Sequence, residues 1–449
     1  MRRNAENSLI SWKNSPRRKP LILRGARQVG KTYLIKEFGK TFETFVTLNF
    51  EETISAHRIF EQDLDPHRIL RDLSILTGKD IIPGKTLLFL DETQIVPNAI
   101  TALRYFYEQI PDLHVIAAGS LIDFALASIG IPVGRVSFLY LYPMSFMEFL
   151  DASGQKIVAN TIRSFEWHST FSTVAHTQLL SQLALYMAIG GMPEAVQTWI
   201  TSQSLRECQR VHSNIVQAYR QDFEKYVTQY QLKYTNIVFD SIPVLLSQKI
   251  KYSNMSSHYQ SRELAPCFEL LAKAGIIHPI YHSSANRPPI GAGINPKHFK
   301  AILMDVALSQ SILNLDLGEW LLDPLRAISN KGPIIEAFVG QELLAYADPE
   351  IKTELAYWQR ESPGSQAEID YLIQQGERLI PIEVKSDITG GLKSLIDYIK
   401  TKNNGHRGIH FSSREYRENP LYTSMPLYFV SKLAERESFG TLSPTIPIK

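Results

Sequence analysis

Leu23-Arg24-Gly25-Ala26-Arg27-Gln28-Val29-Gly30-Lys31-Thr32 is the stretch on which the reading of this chain turns. Residues 25–32 fit G-x-x-x-x-G-K-[ST] in position and type. An apolar strand run at 21–23 precedes them and a helical pattern at 33–38 follows, the setting a phosphate cradle needs. Gly25 and Gly30 let the backbone N–H groups of Ala26, Arg27, Gln28, Val29 and their neighbours turn inward around phosphates. Lys31 reaches the β- and γ-phosphates of ATP as a point charge. Thr32 offers a hydroxyl to Mg²⁺, and the following helix sets its positive end against the phosphates.

Working outward, the first 150 residues alternate apolar strand runs (21–23, 45–49, 86–90, 115–118) with helical patterns such as 33–38 and 98–107. That rhythm predicts a parallel sheet covered on both faces, a P-loop NTPase domain over 1–150. The strand at 86–90 ends in Asp91-Glu92, about 60 residues after the P-loop. Asp91 is placed to hold Mg²⁺ through water and Glu92 to polarise the attacking water. The strand at 115–118 ends in Gly119-Ser120, where Ser120 either contacts the γ-phosphate or the attacking water, or simply ends the strand. Arg135 in Val133-Gly134-Arg135-Val136 has two readings. It stabilises the transferred phosphoryl group, within the chain or across a subunit interface, or it makes a structural salt bridge.

Residues 151–325 read as a mostly helical middle part, with helices over 177–188 and 205–226. A helix at 261–275 precedes a hairpin with arms at 276–281 and 299–304, the order of a winged helix-turn-helix. A DNA-contacting helix there would carry Arg262 and Lys273, but Glu263 and Glu269 share it, so it is not strongly basic. Adaptor modules have the same shape. Residues 326–449 return to α/β: a helix at 334–347, strands at 354–360, 367–374 and 379–384, a helix at 392–401, and strands at 408–411 and 427–430.

In that last part, alternation places Glu368 and Asp370 on one face of a strand and Glu383 and Lys385 on one face of the next. If the strands pair, Asp370, Glu383 and Lys385 converge, with Glu336 from the preceding helix as an extra ligand. This is the D…E-x-K arrangement of metal-dependent nucleases, where the acids hold Mg²⁺ and the lysine positions a water. The alternative is an inherited scaffold whose acids make ion pairs. The fold expected is therefore α/β multidomain: a P-loop sheet, a helical and winged-helix-like part, then a restriction-endonuclease-like domain.

Composition sets the outer bounds. With 449 residues the chain exceeds a single core. A net charge of +2 gives no global argument for nucleic acid, so any DNA or RNA contact must come from a local patch. Cys208 and Cys267 are too few and too far apart for a zinc site or a disulfide framework, which suits a reducing cytoplasm. The basic start MRRNAENSLISWKNSPRRKP has no continuous apolar run, so it reads as no secretory signal. Arg17-Arg18-Lys19 reads as a solvated turn. The apolar stretch 115–133 carries Asp123, Ser120 and Ser128 and reads as a buried strand and helix, not as a membrane span.

Taken together, these motifs resemble a family of bacterial and archaeal AAA-type ATPases with a C-terminal domain of unknown function of restriction-endonuclease-like fold. The residues that carry the resemblance are 23–32, Leu90-Asp91-Glu92, Ala118-Gly119-Ser120, Gly134-Arg135 through Tyr142-Pro143-Met144-Ser145-Phe146-Met147-Glu148-Phe149, and Gly190-Gly191-Met192-Pro193. Glu368-Ile369-Asp370 and Ile382-Glu383-Val384-Lys385 complete it. The resemblance spans nearly the whole chain. It implies ATP binding by residues 25–32, magnesium and water handling by Asp91 and Glu92, and a nuclease-like C-terminal domain. Ser120 departs from the asparagine that many AAA-type sensors have. Partners stay open between DNA or RNA, a protein partner and a second copy of the chain. The functional readings are an ATPase coupled to a nuclease-like domain and a nucleotide-switched adaptor that does not cut.

Overall fold

The computed structural model describes residues 1–434 apart from 120, 121, 123–125, 127–129, 131–133, 226, 361–366, 387–390 and 403–406. Ser120 and much of the 115–133 stretch thus lie outside the described residues.

The first sheet contains β1 (Leu21–Arg24), β2 (Thr44–Asn49), β3 (Thr86–Asp91), β4 (His114–Ala118) and β5 (Ser137–Tyr140), in the order β2-β3-β4-β1-β5. Every pairing in it is parallel. Parallel strands are buried on both faces, which is why β3 and β4 read as unbroken apolar runs. Strand alternation then divides the faces. Ile22, Leu88, Leu90, Val115 and Ala117 pack under the helices that include Pro66–Thr77 and Pro97–Gln109. Leu21, Leu23, Leu87, Phe89, Ile116 and Ala118 face the opposite way and join one continuous core with the middle and C-terminal parts. Strand β5 was not anticipated. Its four residues follow Gly134, too short a run to show a period, and they are placed by pairing with β1.

The second sheet contains β6 (Ile277–Ser283), β7 (Ile294–Leu303), β8 (Leu355–Gln359), β9 (Glu368–Gln375), β10 (Arg378–Val384), β11 (Gly408–Ser412), β12 (Arg417–Glu418) and β13 (Tyr422–Pro426). Its order is β12-β13-β11-β10-β9-β8-β6-β7. The hairpin expected from the sequence is present as β6 and β7, and its outer edge is occupied. Strand β6 pairs in parallel with β8, so residues of the middle part complete the sheet of the C-terminal part. The run at 427–430, expected as a strand, is a 3₁₀ helix (Leu427–Ala434), and the strand lies just before it as β13. A short, fully buried apolar run carries no period by which to tell strand from helix.

The Gly332–Ala345 helix packs on the face of this sheet that lines the common core, and the Lys393–Lys402 helix covers the other face through Leu395, Tyr398 and Ile399. Among the described residues no single helix is long and apolar enough to cross a membrane. The bent pair Thr173–Ile189 and Pro193–Ser202 passes that test on length and composition, but much of its apolar surface is core.

Candidate nucleotide site and acidic centre

The P-loop runs from the end of β1 to the Lys31–Gly39 helix. Gly25 has φ +150, and a Cβ there would stand 2.2 Å from the carbonyl oxygen of Leu141. Gly30, the N-cap of the helix, has φ +94. Both positions need glycine, and together they leave the backbone cradle that phosphates require. The side chain of Lys31 is buried and donates to the carbonyls of Gly25 (2.9 Å) and Ala26 (2.7 Å), curled back over the loop it serves. Burial pulls its pKa down to about 8, partly offset by the carboxylates of Glu92 and Asp91.

Strand β3 brings its terminal acids to the same end of the sheet. Thr32 Oγ1 donates to Asp91 Oδ2 at 2.7 Å, joining the two motifs. Burial raises the pKa of Asp91, against the hydrogen bond from Thr32. Glu92 sits in the left-handed region at φ +52, a conformation that costs a non-glycine residue energy and turns the side chain out of the strand. Gln94 Nε2 donates to Glu92 Oε2 at 2.5 Å and fixes that carboxylate. Room for the amide comes from Gly119, where a Cβ would lie 2.0 Å from Gln94 Oε1. Thr93 Oγ1 donates to the Ala118 carbonyl at 3.0 Å and ties this turn to β4. This set fits a nucleotide with Mg²⁺: a glycine cradle, a buried ammonium, and a hydroxyl and a carboxylate in contact.

Two clasps hold the loop from outside the motif. Arg3 is 6% exposed. Its Nη1 donates to Val29 O (2.8 Å), its Nη2 to Tyr142 O (2.6 Å) and its Nε to Glu148 Oε1 (3.1 Å). Glu148 also accepts from the backbone N–H groups of Asn4 (2.6 Å) and Ser145 (2.8 Å). On the other side, the Leu205–Phe223 helix supplies Asp222, paired with the Arg27 guanidinium, and Tyr219, whose hydroxyl donates to Arg27 O at 2.5 Å. Arg3, Tyr219, Asp222 and Gln94 were not singled out from the sequence.

Arg135 lies just before β5. Ser137 of β5 pairs with Leu21, at the opposite end of β1 from the P-loop. The four-residue length of β1 puts roughly 13 Å of strand between that edge and the loop. Arg135 Nε pairs with Glu108 Oε1 at 3.2 Å and the side chain is 45% exposed. That geometry places Arg135 away from the chain's own P-loop and in an ion pair with Glu108.

The second cluster lies in the C-terminal sheet. Strands β9 and β10 are antiparallel, with Tyr371 opposite Ile382, so Asp370 and Glu383 are neighbours. Asp370 Oδ2 accepts from the Val384 N–H (2.7 Å), and Lys385 Nζ contacts Glu383 Oε1 (2.6 Å). An extra residue in β9 against β8, where Ala356 pairs with Leu372 and Trp358 with Ile369, bends the strand at this point. The four residues expected from the sequence thus come together, and two of them, Glu336 and Asp370, lie against a fifth. Lys300, on β7 and 1% exposed, places its ammonium 3.1 Å from Glu336 Oε1, 4.0 Å from Asp370 Oδ1 and in close contact with Glu368 Oε1. Burial works against its charge, but Glu336, Asp370 and Glu368 outweigh it and hold its pKa above the ordinary value. Burial, with Glu336 and Glu383 nearby, raises Asp370 well above the usual carboxylate range. Burial also raises Glu383, against the pull of Lys385. Among the described residues no group of three or more His, Cys, Asp or Glu side chains is arranged to hold a metal ion.

The parallel five-stranded sheet, the glycine cradle after β1 and the acid pair after β3 define an AAA-type P-loop ATPase domain, a class that binds ATP. In agreement, residues 17–150 match the family described as AAA domain. Residues 180–318 match a domain of unknown function (DUF8612) and residues 331–428 another (DUF4143). No match was found among curated proteins. Among solved structures, the Walker-type ATPase PABY2304 of Pyrococcus abyssi aligns at 13% identity over 69% of this chain and 95% of that one, with a TM-score of 0.45. The ORC1 protein of Aeropyrum pernix, in complex with DNA, aligns at 13% identity over 70% of this chain and 93% of that one, with a TM-score of 0.29. Both likenesses are distant, and the assignment rests on the site geometry and the AAA-domain match.

Proposed function

We propose that this protein hydrolyses ATP with magnesium and uses the nucleotide state to reset the packing of its middle and C-terminal parts. The observation that carries the reading is the 2.7 Å contact of Thr32 with Asp91, which joins residues 59 positions apart into one magnesium-handling pair. Magnesium, when bound, neutralises charge on the phosphate oxygens. The backbone N–H groups of residues 25–30 hold the phosphates, Lys31 meets the β- and γ-phosphates, and Glu92, steadied by Gln94, orients the attacking water. Arg135, exposed at the far edge of the sheet, is assigned to a neighbouring copy's site.

The coupling half of the reading rests on the clasps. Arg27 and Val29 of the loop bond to Asp222, Tyr219 and Arg3, so a loop that moves around phosphates pulls on the Leu205–Phe223 helix and on Glu148. The favoured outcome is a nucleotide-switched regulator or adaptor that engages a protein partner. The meeting of Asp370, Glu383 and Lys385 favours a second reading, in which a restriction-endonuclease-like centre cuts DNA or RNA with Mg²⁺. Lys300 among those acids weighs against it, as does the exposed face of the Ser261–Lys273 helix, where Arg262 and Lys273 are accompanied by Glu269.

The test is magnesium-dependent ATP hydrolysis by the full chain, with and without single- and double-stranded DNA, beside Lys31→Ala. Basal turnover unmoved by DNA is expected. Stimulation by DNA together with magnesium-dependent nicking would establish the second reading in its place.

A further inference from the structure

We propose that Lys300 is the resident cation of the acidic centre, its ammonium standing where a divalent metal would otherwise bind. The inference does not depend on whether the P-loop turns over ATP. Four carboxylates, from Glu336, Glu368, Asp370 and Glu383, lie here against two ammonium groups, Lys300 and Lys385. Buried carboxylates repel one another unless a cation or protons intervene. Lys300 is that cation. It is 1% exposed, it touches acids from the Gly332–Ala345 helix and from β9, and its ammonium lies over the ring of Tyr357, 5.3 Å from the centroid. Lys385 plays a different part: its ammonium lies 2.6 Å from Glu383 Oε1 and its side chain is about one-third exposed.

The chain topology makes this a built feature. Lys300 does not come from the strands that carry the acids. It arrives on β7, the edge strand, by way of β6 and β8. A tethered ammonium cannot diffuse away, so metal in solution competes against a cation at very high local concentration. Just after the strand comes Met304, whose Sδ lies 3.6 Å from the hydroxyl with which Tyr219 donates to the P-loop carbonyl of Arg27. Next comes Asp305, which accepts from the Gly191 N–H at 2.6 Å. The position of the cation is thus tied through one strand to the nucleotide-binding half.

Mn²⁺, which takes the same oxygen ligands as Mg²⁺ and is read by electron paramagnetic resonance, is the probe. The nucleotide-free full chain is titrated with Mn²⁺ as wild type, Asp370→Asn, Lys300→Met and the double variant, with circular dichroism and melting curves alongside. Wild type and Asp370→Asn are expected to bind Mn²⁺ alike. Lys300→Met is expected to gain one Mn²⁺ site, at least about tenfold tighter than any in wild type, lost again in the double variant. Its melting temperature should rise with Mn²⁺ more than that of wild type. A Mn²⁺ site in wild type that vanishes in Asp370→Asn would overturn the proposal, and this arm needs no change at Lys300. So would a folded Lys300→Met protein that gains no site. Lys300→Arg, which keeps the charge, is expected to fold and to bind no additional Mn²⁺.

Discussion

Replacing Arg3 by methionine keeps an apolar stem of similar reach and removes the guanidinium. Three bonds go with it: to Val29 O at 2.8 Å, Tyr142 O at 2.6 Å and Glu148 at 3.1 Å. The side chains of Arg3 and Glu148 are 5% and 6% exposed, so the loss leaves a buried carboxylate without its counter-charge. Breaking such a pair from one side costs roughly 3–5 kcal/mol. Glu148 keeps the N–H groups of Asn4 and Ser145, which places the expected cost near the lower end, about 3 kcal/mol. Urea unfolding followed by circular dichroism measures it. Arg3→Met/Glu148→Gln, which removes the stranded charge, is expected to recover about 1–2 kcal/mol of that loss. Freed from Arg3, the Val29 carbonyl no longer anchors the loop, so ATP affinity should fall in Arg3→Met as well. A single variant within about 0.5 kcal/mol of wild type, with unchanged ATP affinity, would show that Arg3 does not hold the loop.

Two further outcomes follow from the P-loop geometry. In the nucleotide-free protein Lys31 titrates at about 8, below its ordinary 10.5, because burial penalises its charge. A depressed lysine weakens the fold while it stays charged below that value, and the penalty is released as pH rises from about 8 towards 10.5. Phosphates restore the charge. Above pH 8, binding must therefore take up a proton, and ATP affinity should fall by up to about tenfold per pH unit. Calorimetric titration across that range checks this, and Lys31→Arg, always charged, should show a flat profile. Gly25→Ala puts a Cβ 2.2 Å from the Leu141 carbonyl at a φ of +150, so ATP binding should be lost with a stability drop of about 2 kcal/mol or more. Unaltered affinity in that variant would mean the loop has another conformation.

What the sequence disclosed follows from how each signal is stored. The P-loop and the Asp91-Glu92 strand end are contiguous and carry the chemistry in residue type, so both could be read directly. Asp370, Glu383 and Lys385 were legible because strand period and a short hairpin bring them together locally. Lys300 was not, since β7 reaches the acids only after β6 has paired with β8, a partner that no local pattern announces. Arg3 was read as part of a basic terminus, because its partners Val29 and Glu148 lie 26 and 145 positions away. Arg135 fell in a motif that left its direction open, and the register of β5 on β1 sends it to the wrong end of the sheet for its own phosphates. The pairing of β6 with β8 was hidden for a related reason: a hairpin's sequence fixes its own pairing but not what its outer edge meets.

Residues 25–32 with Asp91 and Glu92 are proposed to form a working ATPase site. Its most direct test is the rate of magnesium-dependent phosphate release by the purified full chain, measured beside Lys31→Ala and Glu92→Gln with ATP binding followed in parallel. The wild type is expected to turn over, Lys31→Ala to lose both binding and turnover, and Glu92→Gln to keep binding and lose turnover. Wild-type turnover in a folded Lys31→Ala protein, or no turnover by the wild type with every partner class tried, would contradict that assignment.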